Sequence, residues 1–142
     1  MQDELGRVLS RVKRPLRYVM GLLYIGAGVM HFVAPSVYAQ IVPPMFPAAL
    51  TLVYLSGVAE ILLGVGVLVP RTQRVAAWGL IALLVAVFPA NVYMATSGVV
   101  LEGAPAFMQD PSPIARWGRL PLQGLLILWA WWYTKPSTAT KN

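Results

Sequence analysis

In the stretch "VYLSGVAEILLGVGVLVP" (Val53 to Pro70) a single acid, Glu60, interrupts an otherwise apolar run. Burying a carboxyl group in an apolar medium costs several kcal/mol at least, so its position demands a compensating partner. The nearest candidates are few. His31 closes the first apolar run, Ser56 lies one turn before Glu60 on the same helical face, Asn91 follows Pro89 in the third run, and Gln123 enters the fourth. A carboxyl and an imidazole can exchange a proton and hold a polar ligand, and amide and hydroxyl groups can orient one. Such groups have no partners in lipid, so they are expected to face one another.

Two protonation states satisfy Glu60 equally from the sequence. It is a carboxylate paired with protonated His31 or an arginine, or a neutral acid donating a hydrogen bond. A plainer role stands beside the chemical one, because neutral intramembrane polar groups such as Ser56 and Gln123 also serve as glue between helices. An intramembrane acid is a functional-site candidate by default, which separates Glu60 from the rest.

Four elements must position these residues. Apolar runs cover about residues 16–33, 47–69, 75–95 and 117–133, each near the roughly 20 helical residues that cross a hydrocarbon core. The 142-residue chain is 58% hydrophobic and 11% charged, about half the usual charged share of a soluble protein. The expectation is a single all-α membrane domain over residues 1–142: a four-transmembrane-helix bundle with a short N-terminal amphipathic segment.

The net charge of +6 does not point to nucleic acid, because its distribution is that of a topology signal. Arg7, Arg11, Lys13, Arg14 and Arg17 precede the first run, Arg71 and Arg74 separate the second from the third, and Lys135 and Lys141 follow the fourth. By the positive-inside rule both termini are cytoplasmic, with some affinity for anionic lipid. Leu5, Val8, Leu9 and Val12 recur at helical spacing, as in a helix lying on the inner surface, or residues 1–4 form a frayed tail. The first run with "VYAQ" (Val37 to Gln40) imitates a signal peptide, but it contains His31 and ends at Pro35, so it reads as an uncleaved span.

A helical rise of ~1.5 Å per residue gives depths. Glu60 comes ~15 Å from Pro70, His31 ~21 Å from Arg17, Asn91 ~25 Å from Arg74 and Gln123 ~6 Å from Arg119. All four fall in the middle-to-outer half, which predicts a polar chamber open toward the outer leaflet. Gly21, Gly28, Gly57 and Gly64 permit close helix approach around it. Pro89 frees a backbone carbonyl one turn earlier. The uncharged loop from Ala34 to Pro47 starts a short helix with Ser36 as its cap and serves as a lid or a rigid turn. Trp129, Trp131, Trp132 and Tyr133 read as an interfacial belt.

The chain has no cysteine and one histidine. Thiol–disulfide relay, iron–sulfur ligation and a bis-histidine haem within one chain are thereby excluded, and no self-contained catalytic or redox centre is visible. No metal site is expected.

The motifs "GVMHFVAP", "IVPPMFP", "YLSGVAEILLGVGVLVPRTQRVAAWGLIALL" and "VFPANVYM" resemble the DoxX-like family of small four-helix bacterial membrane proteins, over about Gly21 to Tyr133. The resemblance implies the four-helix fold and an association with membrane oxidoreductase complexes and thiosulfate:quinone oxidoreduction. On that footing the expected ligand-binding set is His31, Ser56, Glu60, Asn91 and Gln123, holding a quinone or a similar amphipathic molecule, with electrons supplied by a partner. A non-catalytic accessory subunit of a larger complex is the alternative. A small transporter is weaker, since no internal repeat is evident. Membrane lipid and a homo-oligomer or larger membrane complex are the expected partners, and no nucleic acid.

Overall fold

The structure, a computed structural model, describes residues 1–135, so Lys141 lies outside the described residues. Six helices follow in chain order, with no strand among the described residues: α1 (Gln2–Val33), α2 (Pro35–Ala39), α3 (Ala49–Leu68), α4 (Gln73–Ser97), α5 (Ala106–Gln109) and α6 (Pro113–Trp132). Three of them, α1, α3 and α4, are long and apolar enough to cross a membrane. The fourth long helix, α6, matches α3 in length but carries Arg116, Arg119 and Pro121 in its first half and Gln123 just after them. Those residues dilute its hydropathy.

The N-terminal amphipathic stretch is not a separate helix. It is the first part of α1, which runs unbroken for 32 residues with Pro15 inside it. Nothing between Val12 and Leu16 ends a helix except that proline, and Leu5, Val8 and Leu9 remain exposed along its length.

The long helices run antiparallel in the order α1, α3, α4, α6, each against the next, and no Cα of α1 comes within 8 Å of one in α6. Glycines fix the α1–α3 seam. A Cβ on Gly28 would stand 2.6 Å from the Gly57 carbonyl, and one on Gly64 would stand 2.8 Å from the Gly21 carbonyl. No side chain fits in either place, so the register Gly21 on Gly64 and Gly28 on Gly57 is set by size. At the end carrying Arg71 and Arg74, side chains from all four elements close a core of Met20, Tyr24, Val67, Ala76, Ala77, Leu80, Ala130 and Tyr133.

The opposite end holds the loops. Gln40 clamps them together: its amide donates to the Glu102 carbonyl at 2.8 Å and accepts from the Glu102 N–H at 2.9 Å. Met94, Leu101 and Ala104 form a small second core there, packed against Val37 and Ile41. The expected loop helix exists, but Pro35 opens it at the first position and Ser36 does not cap it. Ser112 does cap α6, its hydroxyl accepting from the Ala115 N–H at 3.3 Å. Gly98, at φ 66°, supplies the left-handed residue that ends α4.

Tyr133 departs from the expected aromatic belt. It is 1% exposed, and its hydroxyl donates to the Lys13 carbonyl at 2.9 Å. Outward faces are apolar throughout: Leu22, Leu55, Leu62, Val85, Leu125 and Leu128 are each about half exposed or more.

Candidate functional site

Between the helices lies a cavity of about 710 Å³, reaching from Tyr38, Pro43 and Phe46 of the loop end down to Trp129. Its walls are mostly aliphatic, from α1, α3, α4 and α6. Its polar lining comes from His31, Ser56, Glu60 and Asn91, four of the five residues singled out in the sequence, together with Tyr24, Tyr38 and Arg119.

His31 and Glu60 meet across the α1–α3 seam. The glycine register sets their Cα atoms about six residues, or ~9 Å, apart along the axis. Side chains lean toward the N-terminus of their own helix, and α1 and α3 are antiparallel, so the two lean toward each other. Gly57 leaves room between them, since a Cβ there would stand 2.7 Å from the His31 Cβ. Glu60 Oε2 then lies 3.2 Å from His31 Nδ1.

That approach is not a formed hydrogen bond. His31 Nδ1 contacts the Ala27 carbonyl at 2.8 Å, and a carbonyl only accepts, so Nδ1 carries the proton and donates it there. Glu60 Oε2 is left buried without a hydrogen-bond partner. Tyr38 stacks on the imidazole with ring centroids 4.1 Å apart, fixing the ring plane. Burial pushes the Tyr38 phenol above its ordinary range, the Glu60 charge adds to this, and Arg119 pulls it the other way.

Tyr24 contributes the second orphan. It is 8% exposed, and its hydroxyl, in the cavity wall, has no partner. The antiparallel register brings it level with Ile61, beside Glu60. Two buried polar groups therefore face one chamber without a protein partner.

Asn91 and Gln123 play different parts. The Asn91 amide donates to Gln123 Oε1, and the Gln123 amide donates to the Leu84 carbonyl. Leu84 precedes Val85, whose carbonyl loses its helical donor to Pro89. Asn91 lines the cavity, but Gln123 is 3% exposed and stands behind it, tying α6 to α4 at Leu84 and Asn91. Ser56 lines the cavity while its hydroxyl donates to its own helix, to the Val53 carbonyl at 3.0 Å.

Sequence reasoning passed over three lining residues. Tyr24 lies two turns before His31 on one face of α1, and Arg119 one turn before Gln123 on α6, so helical spacing carried a signal for both. Tyr38 belongs to another element, and its stack on His31 depends on the turn at Ala34. Among the described residues no cluster of three or more metal-ligating side chains occurs.

No curated protein and no solved structure matches the chain. A family model described as a domain of unknown function (DUF8561) matches residues 20–134, a range that includes α1 from Met20 onward, the whole chamber and α6, and the chain belongs to that family.

Proposed function

We propose that the protein is a four-span integral membrane protein of the bacterial inner membrane, with both termini cytoplasmic, and that its chamber binds the polar head of a quinone or a similar amphipathic molecule. The observation that carries this reading is the pair of orphaned groups, Glu60 Oε2 and the Tyr24 hydroxyl, on one apolar-walled cavity. Each is costly to bury alone, and a ligand bearing oxygen or hydroxyl groups would partner both. The aliphatic walls suit the rest of an amphipathic ligand. The likeness of the His31, Ser56–Glu60 and Pro89–Asn91 motifs to the DoxX-like family is the reason for preferring a quinone.

The membrane reading draws support from the half-exposed leucines on every long helix, a surface that water would not tolerate over such an area. With it, α6 becomes the fourth span, its two arginines and Ser112 cap lying toward the outer surface. In the redox reading His31 and Glu60 handle the protons that a quinone oxygen takes up on reduction. Electrons come from a partner protein, since a chain without cysteine and with one histidine offers no ligand set for an iron–sulfur cluster or a bis-histidine haem.

The alternative is a non-catalytic accessory or anchoring subunit of a larger membrane complex. Exposed Leu5, Val8 and Leu9 on the N-terminal part of α1 favour it, because they form an apolar stripe without a partner. Purification under native conditions followed by quinone extraction tests both. Bound quinone in the isolated protein supports the ligand reading, and quinone-free protein in a stable hetero-assembly supports the subunit reading.

A further inference from the structure

A second site lies toward the end opposite the loops, where α1 and α6 meet through side chains only, their Cα atoms more than 8 Å apart. Leu9, Leu128, Trp129, Trp131 and Trp132 line a groove there of about 360 Å³. Its surface is almost wholly apolar, and one turn along α1 from Leu9 it meets Lys13.

Lys13 Nζ lies 5.6 Å from the centre of the Trp132 ring, and Lys135 Nζ lies 3.8 Å from that of Trp131. The two ammonium groups thus stand over neighbouring tryptophans of α6. Arg17, one turn beyond Lys13 on the same face, is 9% exposed. Its Nη1 donates to Gln73 Oε1, but its Nε is buried without a partner. Among the described residues no carboxylate lies within 4 Å of these cations, and Asp3 and Glu4, the acids of the same helix, are more than two helical turns from Lys13. Like charges gathered beside an aromatic trough make a place that an anionic group would complete.

We propose that this cleft is a binding site for an anionic phospholipid. The phosphate lies between Lys13 and Lys135 within reach of the Arg17 guanidinium, and an acyl chain occupies the groove. The headgroup fits because Lys13 and Lys135 stand over the Trp132 and Trp131 rings that line the groove, and the chain fits because the rest of the lining is leucine and tryptophan. A lipid so placed fills the seam that the helices leave open. The groove shares Trp129 with the chamber wall but none of the chamber's polar groups, and the proposal rests on the membrane reading alone.

The test is native mass spectrometry of the full chain in detergent with equimolar phosphatidylglycerol and phosphatidylcholine. One phosphatidylglycerol should persist on the wild type. K13Q/K135Q should lose roughly 25-fold in its retention, as expected for two basic residues at a lipid headgroup. R71Q/R74Q removes the same charge from the same end of the protein and should leave retention unchanged. Equal retention of both lipids, or equal losses in the two double variants, overturns the site and leaves only surface charge. Alkaline carbonate extraction of native membranes separates this from the premise. Protein released to the supernatant overturns the membrane reading itself, whereas protein retained in the pellet without a phosphatidylglycerol preference overturns the lipid site alone.

Discussion

Glu60 Oε2 stands 3.2 Å from His31 Nδ1, yet the proton on that nitrogen is donated to the Ala27 carbonyl. The two side chains are therefore neighbours without being each other's solution. If they existed only to hold α1 to α3, a bond between them would be the expected arrangement, since an unmade bond at a buried group costs about 1–3 kcal/mol. An acid left short of a partner on the wall of an apolar cavity is an arrangement that a polar ligand group would complete.

The first prediction follows from that arrangement. Glu60→Gln keeps shape and most hydrogen-bonding capacity but cannot carry charge, and it should insert and fold while losing quinone retention by about tenfold or more. His31→Ala should do the same. A structural Glu60 predicts instead that Gln is tolerated and that Leu stabilises, as apolar replacements of buried ionic groups sometimes do. Quinone content of purified protein decides, and full content in both variants would return Glu60 to the role of helix glue.

Tyr24→Phe supplies the second. It removes one oxygen that has no protein partner, so its loss should leave thermal stability unchanged or slightly raised. Ligand retention should fall by a few-fold. Thermal unfolding in detergent and ligand content are read on the same sample, and a drop in stability with unchanged content would mean that the hydroxyl serves the fold.

Gly57 carries the third. Any side chain there strikes the His31 Cβ and Phe32, and approaches the Gly28 carbonyl at 3.1 Å. Gly57→Val should destabilise by about 1–3 kcal/mol and push His31 away from Glu60. Gly118→Ala is the control on α6, where a Cβ meets nothing within 4 Å and should gain up to about 1 kcal/mol from helix propensity. Matching effects at the two positions would argue against size as the determinant of the α1–α3 register.

Much of the arrangement was legible in the residues because few solutions exist for it. Glu60 had His31 and little else at its level, and the glycine spacing foretold which faces of α1 and α3 meet. Gln123 shows where such reasoning stops. Its depth matched the chamber, but whether it lined the cavity or stood behind it depended on the rotation of α6 about its axis, which two arginines and a proline in the first half leave ambiguous. In the structure its amide reaches the Leu84 carbonyl, one residue before the Val85 carbonyl that Pro89 leaves without a helical donor. Tyr38 was out of reach for a different reason: its place over His31 is set by one loop residue, Ala34, at φ −131° and ψ 56°, which no periodicity encodes. The unbroken course of α1 through Pro15 was likewise hidden, because proline is tolerated where neighbouring turns hold the helix.

Gln123→Leu therefore makes a fourth prediction. It strands the Asn91 amide and frees the Leu84 carbonyl, at a cost of about 0.6–1.7 kcal/mol if interhelical bonds here resemble those of other membrane bundles. Melting temperature should fall, with ligand retention changed no more than that loosening explains. Loss of ligand at unchanged stability would instead make Gln123 a direct contact.

The last prediction concerns which way the chain crosses the membrane. The chain contains no native cysteine, so single introduced cysteines report without background. Gln40 is a poor place for one, because its amide clamps the two loops through Glu102. Met45, in the same loop, is 83% exposed and makes a cleaner probe, while Arg71 is exposed in the turn between α3 and α4. With both termini cytoplasmic, Met45→Cys should react with a membrane-impermeant maleimide in intact cells, and Arg71→Cys should react only after permeabilisation. The basic residues before Tyr18, at positions 71 and 74 and at Lys135 would then all face the cytoplasm, and the chamber's loop end would face outward. Labelling of Arg71→Cys in intact cells would reverse that orientation, placing the Tyr38 and Arg119 end of the chamber toward the cytoplasm and the Lys13–Lys135 cleft at the outer leaflet.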